Sequence, residues 1–170
     1  MNLTRPLRHL TSRTRRNHGL EHATLNLLAK KHPHRMFAGY SDPGGYWIMG
    51  EISTSELTEV ALEALKLLKS GHRELAIHEN CGTNLLISGL LAGLGGALGL
   101  LGVGEKRRDK LERIPVIITL ATAALLIARP LGPVVQRKVT TSGDPGSLQL
   151  IQVTLHNMQG STLHRIQTEG

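Results

Sequence analysis

Aromatic side chains are almost missing from this chain of 170 residues, which has one Phe, two Tyr and one Trp. All four (Phe37, Tyr40, Tyr46 and Trp47) fall within a single eleven-residue window. Recognition of nucleic acid by base stacking is therefore excluded, and no nucleic-acid partner is expected. A single cysteine, Cys81, excludes an intramolecular disulfide framework. Acidic residues are outnumbered, 13 against 20 Lys and Arg, for a net charge of +7. With nucleic acid set aside, that excess suits anionic lipid or the loops of a membrane protein. No apolar core of signal-peptide length follows Arg5, Arg8, Arg13, Arg15 and Arg16, so no cleaved secretory signal is expected. The soluble part is accordingly placed in the cytoplasm. Neither long apolar run contains an acidic residue, which argues against a transporter component.

What the chain does have is His18-Gly19-Leu20-Glu21-His22, reading His-x-x-Glu-His in a stretch with helical character. Positions i, i+3 and i+4 are neighbours on a helix surface, so His18 and His22 can chelate one cation with Glu21 beside it. Nine His and ten Glu in 170 residues give roughly 0.03 chance matches, which makes the motif informative but still a hypothesis. The five residues resemble the inverted zinc-protease signature. That resemblance implies a Zn²⁺ ion on His18 and His22, with Glu21 as the general base acting on metal-bound water.

Residues 1–16 read as a basic arm. Asn17 is a plausible N-cap for the motif helix, with Leu20, Ala23, Leu27 and Leu28 as its apolar positions and Pro33 as its stop. Two short strands are expected around Asp42-Pro43-Gly44-Gly45. Their aromatics Tyr40, Tyr46 and Trp47 are read as a substrate-binding edge, a surface dipping into lipid, or filling for a small core. Ser53-Thr54-Ser55 offers caps for a second helix to about Ser70, with the stripe Leu57, Val60, Ala61, Ala64, Leu65 and Leu68. Glu59 and Glu63 share one of its faces and are alternatives for a third metal ligand. Residues 74–78 look like a strand delivering His78, Glu79 and Cys81, of which His78 is the preferred third ligand and Glu79 and Cys81 are alternatives.

Residues 85–103 form an apolar run long enough to cross a bilayer core of about 30 Å. Gly89, Gly93, Gly95 and Gly99 give two Gly-x-x-x-Gly spacings suited to close helix approach and to a homo-oligomer. A second run, 114–128, reaches spanning length only by continuing through Arg129, Pro130 and Pro133. Together they are expected to form a two-helix transmembrane hairpin in a multi-pass protein of the bacterial cell membrane. After Asp144-Pro145-Gly146, residues 148–156 alternate as a strand with a slip near Ile151, and 161–168 pair with it. The expected class is therefore α+β. A soluble part (17–83) is interrupted by the membrane hairpin (84–136), and a C-terminal β-hairpin (137–170) returns to the soluble sheet.

Arg16–Thr24, Ser41–Gly45, Ala76–Asn84 and Arg129–Pro133 resemble the signature segments of a family of small, uncharacterised bacterial membrane proteins, a domain of unknown function. The resemblance implies the membrane architecture and no established activity. Two functions remain in view. One is a membrane-anchored zinc metallopeptidase acting on a peptide or membrane-protein substrate. The other is a non-enzymatic membrane-anchored binding or scaffold protein, with structural histidines or a structural metal.

Overall fold

The computed structural model describes residues 4–158 and 161–170. It divides into two compact units, one made of residues 1–78 with 137–170 and the other of residues 79–136.

In the first unit, helix α1 runs Thr4–Lys31. Residues 4–16, expected as a separate arm, are thus helical, and Asn17, expected as the N-cap, lies in mid-helix. It is wholly buried, its amide donating to Asp42 O at 2.8 Å and its carbonyl accepting from the Thr168 hydroxyl at 2.6 Å. Such a residue disfavours a helix interior unless tertiary partners take up its side chain, as they do here. Strands β1 (Ala38–Asp42) and β2 (Gly45–Met49) form the expected hairpin. Asp42 Oδ1 accepts from Gly44 N, and Gly45 takes a φ of 144° that favours glycine. Helix α2 (Thr54–Lys69) is capped by Ser53 and buries all six residues of its expected stripe. Gly71, with φ 101°, follows its end.

Strands β3 (Gln149–Met158) and β4 (Ser161–Glu169) complete a four-stranded antiparallel sheet of order β1-β2-β4-β3. The C-terminal hairpin therefore does join the N-terminal strands, with Tyr46 opposite Ile166. The slip near Ile151 is a real register shift between Leu150 and Gln152. Leu20, Leu28, Tyr46, Ile48, Leu57, Val60, Leu148 and Ile166 fill the core between sheet and helices. On the outer face Trp47 sits opposite Arg165, whose guanidinium lies 5.1 Å from the indole and pairs with both oxygens of Asp42. Residues 74–78, expected as a strand, do not form one: Arg73–Ala76 is a single 3-10 turn, and Ile77 and His78 lie outside any strand. The apolar positions Leu75 and Ala76 are too few to sustain a period-2 pattern, and no neighbouring edge claims them.

The second unit holds α3 (Gly82–Leu98), a short α4 (Arg107–Glu112) and α5 (Ile114–Val135). One helical stretch, Arg107–Thr140, is long and apolar enough to cross a membrane, whereas Gly82–Leu98 is a shorter apolar helix. The expected two-helix spanning hairpin is corrected accordingly, and a multi-pass topology is not supported. Seventeen residues rise only about 25 Å against a hydrocarbon core of about 30 Å. The cause is local: Gly99 caps α3 and Gly102 turns left-handed at φ 69°, so the apolar run leaves the helix before it ends. Helix α5 does continue through Pro130 and Pro133. Gly95 and Gly99 face it so closely that an added Cβ would lie 2.8 Å from Leu120 O and 2.9 Å from an Ile117 methylene, while Gly89 and Gly93 open onto empty space.

Candidate functional site

Helix α1 presents His18, His22 and Asn26 at i, i+4 and i+8, one above another on a single face. Across from it lie the 3-10 turn and a π-helical turn, Gln136–Thr140. Gly19 is what allows the approach, because a Cβ there would come within 2.0 Å of Ser142 O and 3.3 Å of the Ala76 side chain. With the Cβ absent, the chain after the π turn lies directly on α1, and Ser142 N donates to Arg15 O at 2.8 Å.

That contact orients the imidazoles. His18 Nδ1 lies 3.0 Å from Thr140 O, and buried His22 Nδ1 lies 2.8 Å from Ala76 O. Carbonyl oxygens only accept, so in both neutral rings the hydrogen sits on Nδ1 and the lone pair on Nε2. His78 Nδ1 lies 2.8 Å from Asn26 Oδ1. The Asn26 amide cannot be turned over, because its nitrogen already donates to Leu75 O and Ile77 O, each at 2.9 Å. His78 therefore takes the same tautomer. The rings are also neighbours in succession, His18 beside His22 and His22 beside His78. His18 and His22 have centroids 4.3 Å apart and ligand atoms within 4.8 Å, and the His22 and His78 centroids are 5.7 Å apart. Two imidazoles sharing one tetrahedral ion at 2.0–2.1 Å have centroids about 5 Å apart, and each of these two neighbouring pairs lies within about 1 Å of that separation.

Glu21 is 3% exposed. Its carboxylate accepts from the Ser41 hydroxyl on β1 and packs against Gly39, where a side chain would collide with it. Its charge also reaches Tyr46. Burial drives that phenol well above its ordinary range and Glu21 adds to the rise, against a hydrogen bond with Thr24 at 2.9 Å. Tyr46 itself is fully buried, so of the three aromatic residues read as a substrate edge only Tyr40 and Trp47 offer surface. Among the alternative ligands, Glu59 is exposed on α2, and exposed Glu63 pairs with Lys31 at 3.0 Å. Glu79 and Cys81 belong to the second unit, in which Cys81 is buried as the N-cap of α3.

Asn26, Ser41 and Thr140 did not stand out in the sequence. Asn26 alone left a trace, continuing the four-residue spacing of the two histidines.

Residues 13–153 match the family model described as a domain of unknown function (DUF6391), and the chain belongs to that family. It is 34% identical over 139 residues to an uncharacterized protein of Picosynechococcus sp. strain PCC 7002, covering 75% of this chain and 65% of that protein. The chain thus spans about two-thirds of the length of that relative. No solved structure matches it.

Proposed function

We propose that this is a membrane-associated zinc protein in which His18, His22 and His78 bind Zn²⁺ through Nε2. The observation that carries the reading is the shared tautomer: three neighbouring imidazoles each engage an oxygen through Nδ1. Metal-binding histidines are held by such outer partners, which fix the ring and raise its basicity. Three protein ligands leave the fourth position for water, as in catalytic zinc sites. The activity that follows is hydrolysis of a peptide bond in a peptide or membrane-protein substrate. The zinc supplies Lewis acidity to the water and the scissile carbonyl, and Glu21, next to His22 on α1, accepts the proton. Stretch Arg107–Thr140 is the anchor to the bilayer. Association between copies is left to Gly89 and Gly93, since Gly95 and Gly99 already face α5.

A second reading draws on Glu21 itself, whose carboxylate is engaged by Ser41 and packed beneath β1. On that reading the metal is structural and the domain binds a partner. Metal analysis of detergent-purified protein separates the two. One zinc per chain, lost in His22→Ala and retained in Glu21→Gln together with loss of peptide hydrolysis, supports the peptidase. Zinc retained in Glu21→Gln with no hydrolysis by the wild type supports the structural site, and absence of stoichiometric zinc overturns both.

A further inference from the structure

The first unit contains a cavity of about 440 Å³ that the metal reading does not use, lined by Arg15, Arg73 and Arg137 with Glu74, Ser142 and Asp144. Three arginines thus line one hollow, Arg73 and Arg137 of them exposed, and a cleft lined by charge of one sign concentrates counter-ions. The two carboxylates do little to neutralise it. Glu74 is turned to His72 at 3.2 Å, and Asp144 Oδ1 accepts from Gly146 N at 2.9 Å. Among the described residues, the side chains of Arg73 and Arg137 form no hydrogen bond or ion pair. Arg15 is fixed in place, with Nη2 donating to Lys138 O at 3.1 Å and Thr141 O at 3.0 Å. Its Nε is buried and has no partner. The wall is rigid as well, because Gly143 leaves no room for a Cβ, which would lie 2.8 Å from the Arg73 Cβ.

From this geometry we infer a binding site for a phosphate group carrying an organic substituent. The planar fork of arginine matches the oxygens of phosphate in pairs, whereas a lysine would act only as a point charge. The volume falls within the range of small-molecule sites of about 300–1,000 Å³, larger than a bare oxyanion needs. Such a phosphate has two sources, a soluble phosphate monoester or the headgroup of a phospholipid. The site backs onto the imidazole cluster, since Ala76 lines the cavity and also holds His22 through its carbonyl.

The test uses the full chain in detergent or in nanodiscs. Glycerol 3-phosphate is titrated by calorimetry, and nanodiscs of phosphatidylglycerol are compared with phosphatidylcholine for chemical-shift change in the lipid phosphorus signal. Arg73→Gln with Arg137→Gln removes the two unpaired guanidiniums, while Arg107→Gln with Arg108→Gln removes equal charge from α4. The cavity variant is expected to weaken binding about tenfold or more with zinc content unchanged, and the α4 variant to leave it within about twofold. Saturable binding of glycerol 3-phosphate assigns the soluble source, and a response confined to phosphatidylglycerol assigns the headgroup. The inference is overturned if neither probe binds, or if the α4 variant loses as much as the cavity variant. A cavity variant that unfolds is replaced by Arg137→Lys, which keeps the charge and is expected to weaken binding by losing the fork.

Discussion

The two units bury opposite kinds of side chain. In residues 1–78 with 137–170, several polar groups lie inside and are paired, although Arg15 Nε and His164 Nδ1 are buried without a partner among the described residues. Asn17, Glu21, His22, Thr24 and Thr168 are all buried, each with a named partner. In residues 79–136 the apolar groups lie outside. Leu85, Leu86, Leu90, Leu94, Ile118, Leu126 and Ile127 are exposed, whereas the buried positions of α3 and α5 are Gly95, Ala128 and Gly132. Burying glycine and alanine removes little apolar area from water, so the hydrophobic effect cannot hold the second unit together as it holds the first. Small residues at the contact and leucines outside is the arrangement that suits helices surrounded by hydrocarbon. One sequence thus obeys two solvent rules, with most of the buried polar groups in the first unit and Gln136, paired with Asn84, an exception in the second.

The comparison can be broken most directly at leucine. Leu57→Ala, at a wholly buried position in α2, is expected to cost about 2–5 kcal/mol in chemical denaturation. Leu90→Ala, at an exposed position on α3, is expected to cost less than about 0.5 kcal/mol, and equal losses would erase the distinction. The next largest effect lies in a change of opposite kind. Leu126→Arg on α5 should cost about 3 kcal/mol in a membrane-insertion assay, although Leu62→Arg on α2, also exposed, should leave the stability of the first unit within about 0.5 kcal/mol.

Two smaller effects sharpen the polar side of the contrast. Tyr46→Phe removes the hydroxyl shared with Thr24, and a loss of about 0.5–1.5 kcal/mol is expected in thermal unfolding. No loss would mean that the buried pair contributes nothing. Finally, His164 is fully buried beneath α2, and desolvation depresses its folded-state pKa. Its unfolded state therefore binds the proton first as pH falls. The stability that it contributes is complete above the unfolded value of about 6.5, then declines toward the folded pKa by at most about 1.4 kcal/mol per pH unit. Urea midpoints from pH 7.5 to 5 should show that decline, and His164→Gln should flatten it.

Local features were legible in the sequence and long-range ones were not. Pro43-Gly44-Gly45 announced its turn, the α2 stripe its buried face, and the slip at Ile151 its register shift, because each depends on residues near one another along the chain. Gly99, legible as a helix-packing glycine, does face α5 but also caps α3, and the left-handed turn at Gly102 was not legible; composition alone does not give backbone angles. The metal-competent pair was legible at His18 and His22 from spacing alone. What orients it was not, since Thr140 lies 122 positions beyond His18 and Ala76 lies 54 beyond His22.

Those separations set an order of events during synthesis. A ribosome at about 5–20 residues per second has already produced α1 and both apolar helices before Thr140 exists. Until then the Thr140 carbonyl is missing from the surroundings of His18, and Gly19 leaves room on α1 where Ser142 will later settle. His18 therefore meets Thr140 only after both apolar helices are made, whereas Ala76, the partner of His22, and Asn26, that of His78, precede them. The Thr140 contact on His18 thus forms only when the segment after the π-helical turn folds back onto α1, as the Ser142 N to Arg15 O bond shows it does.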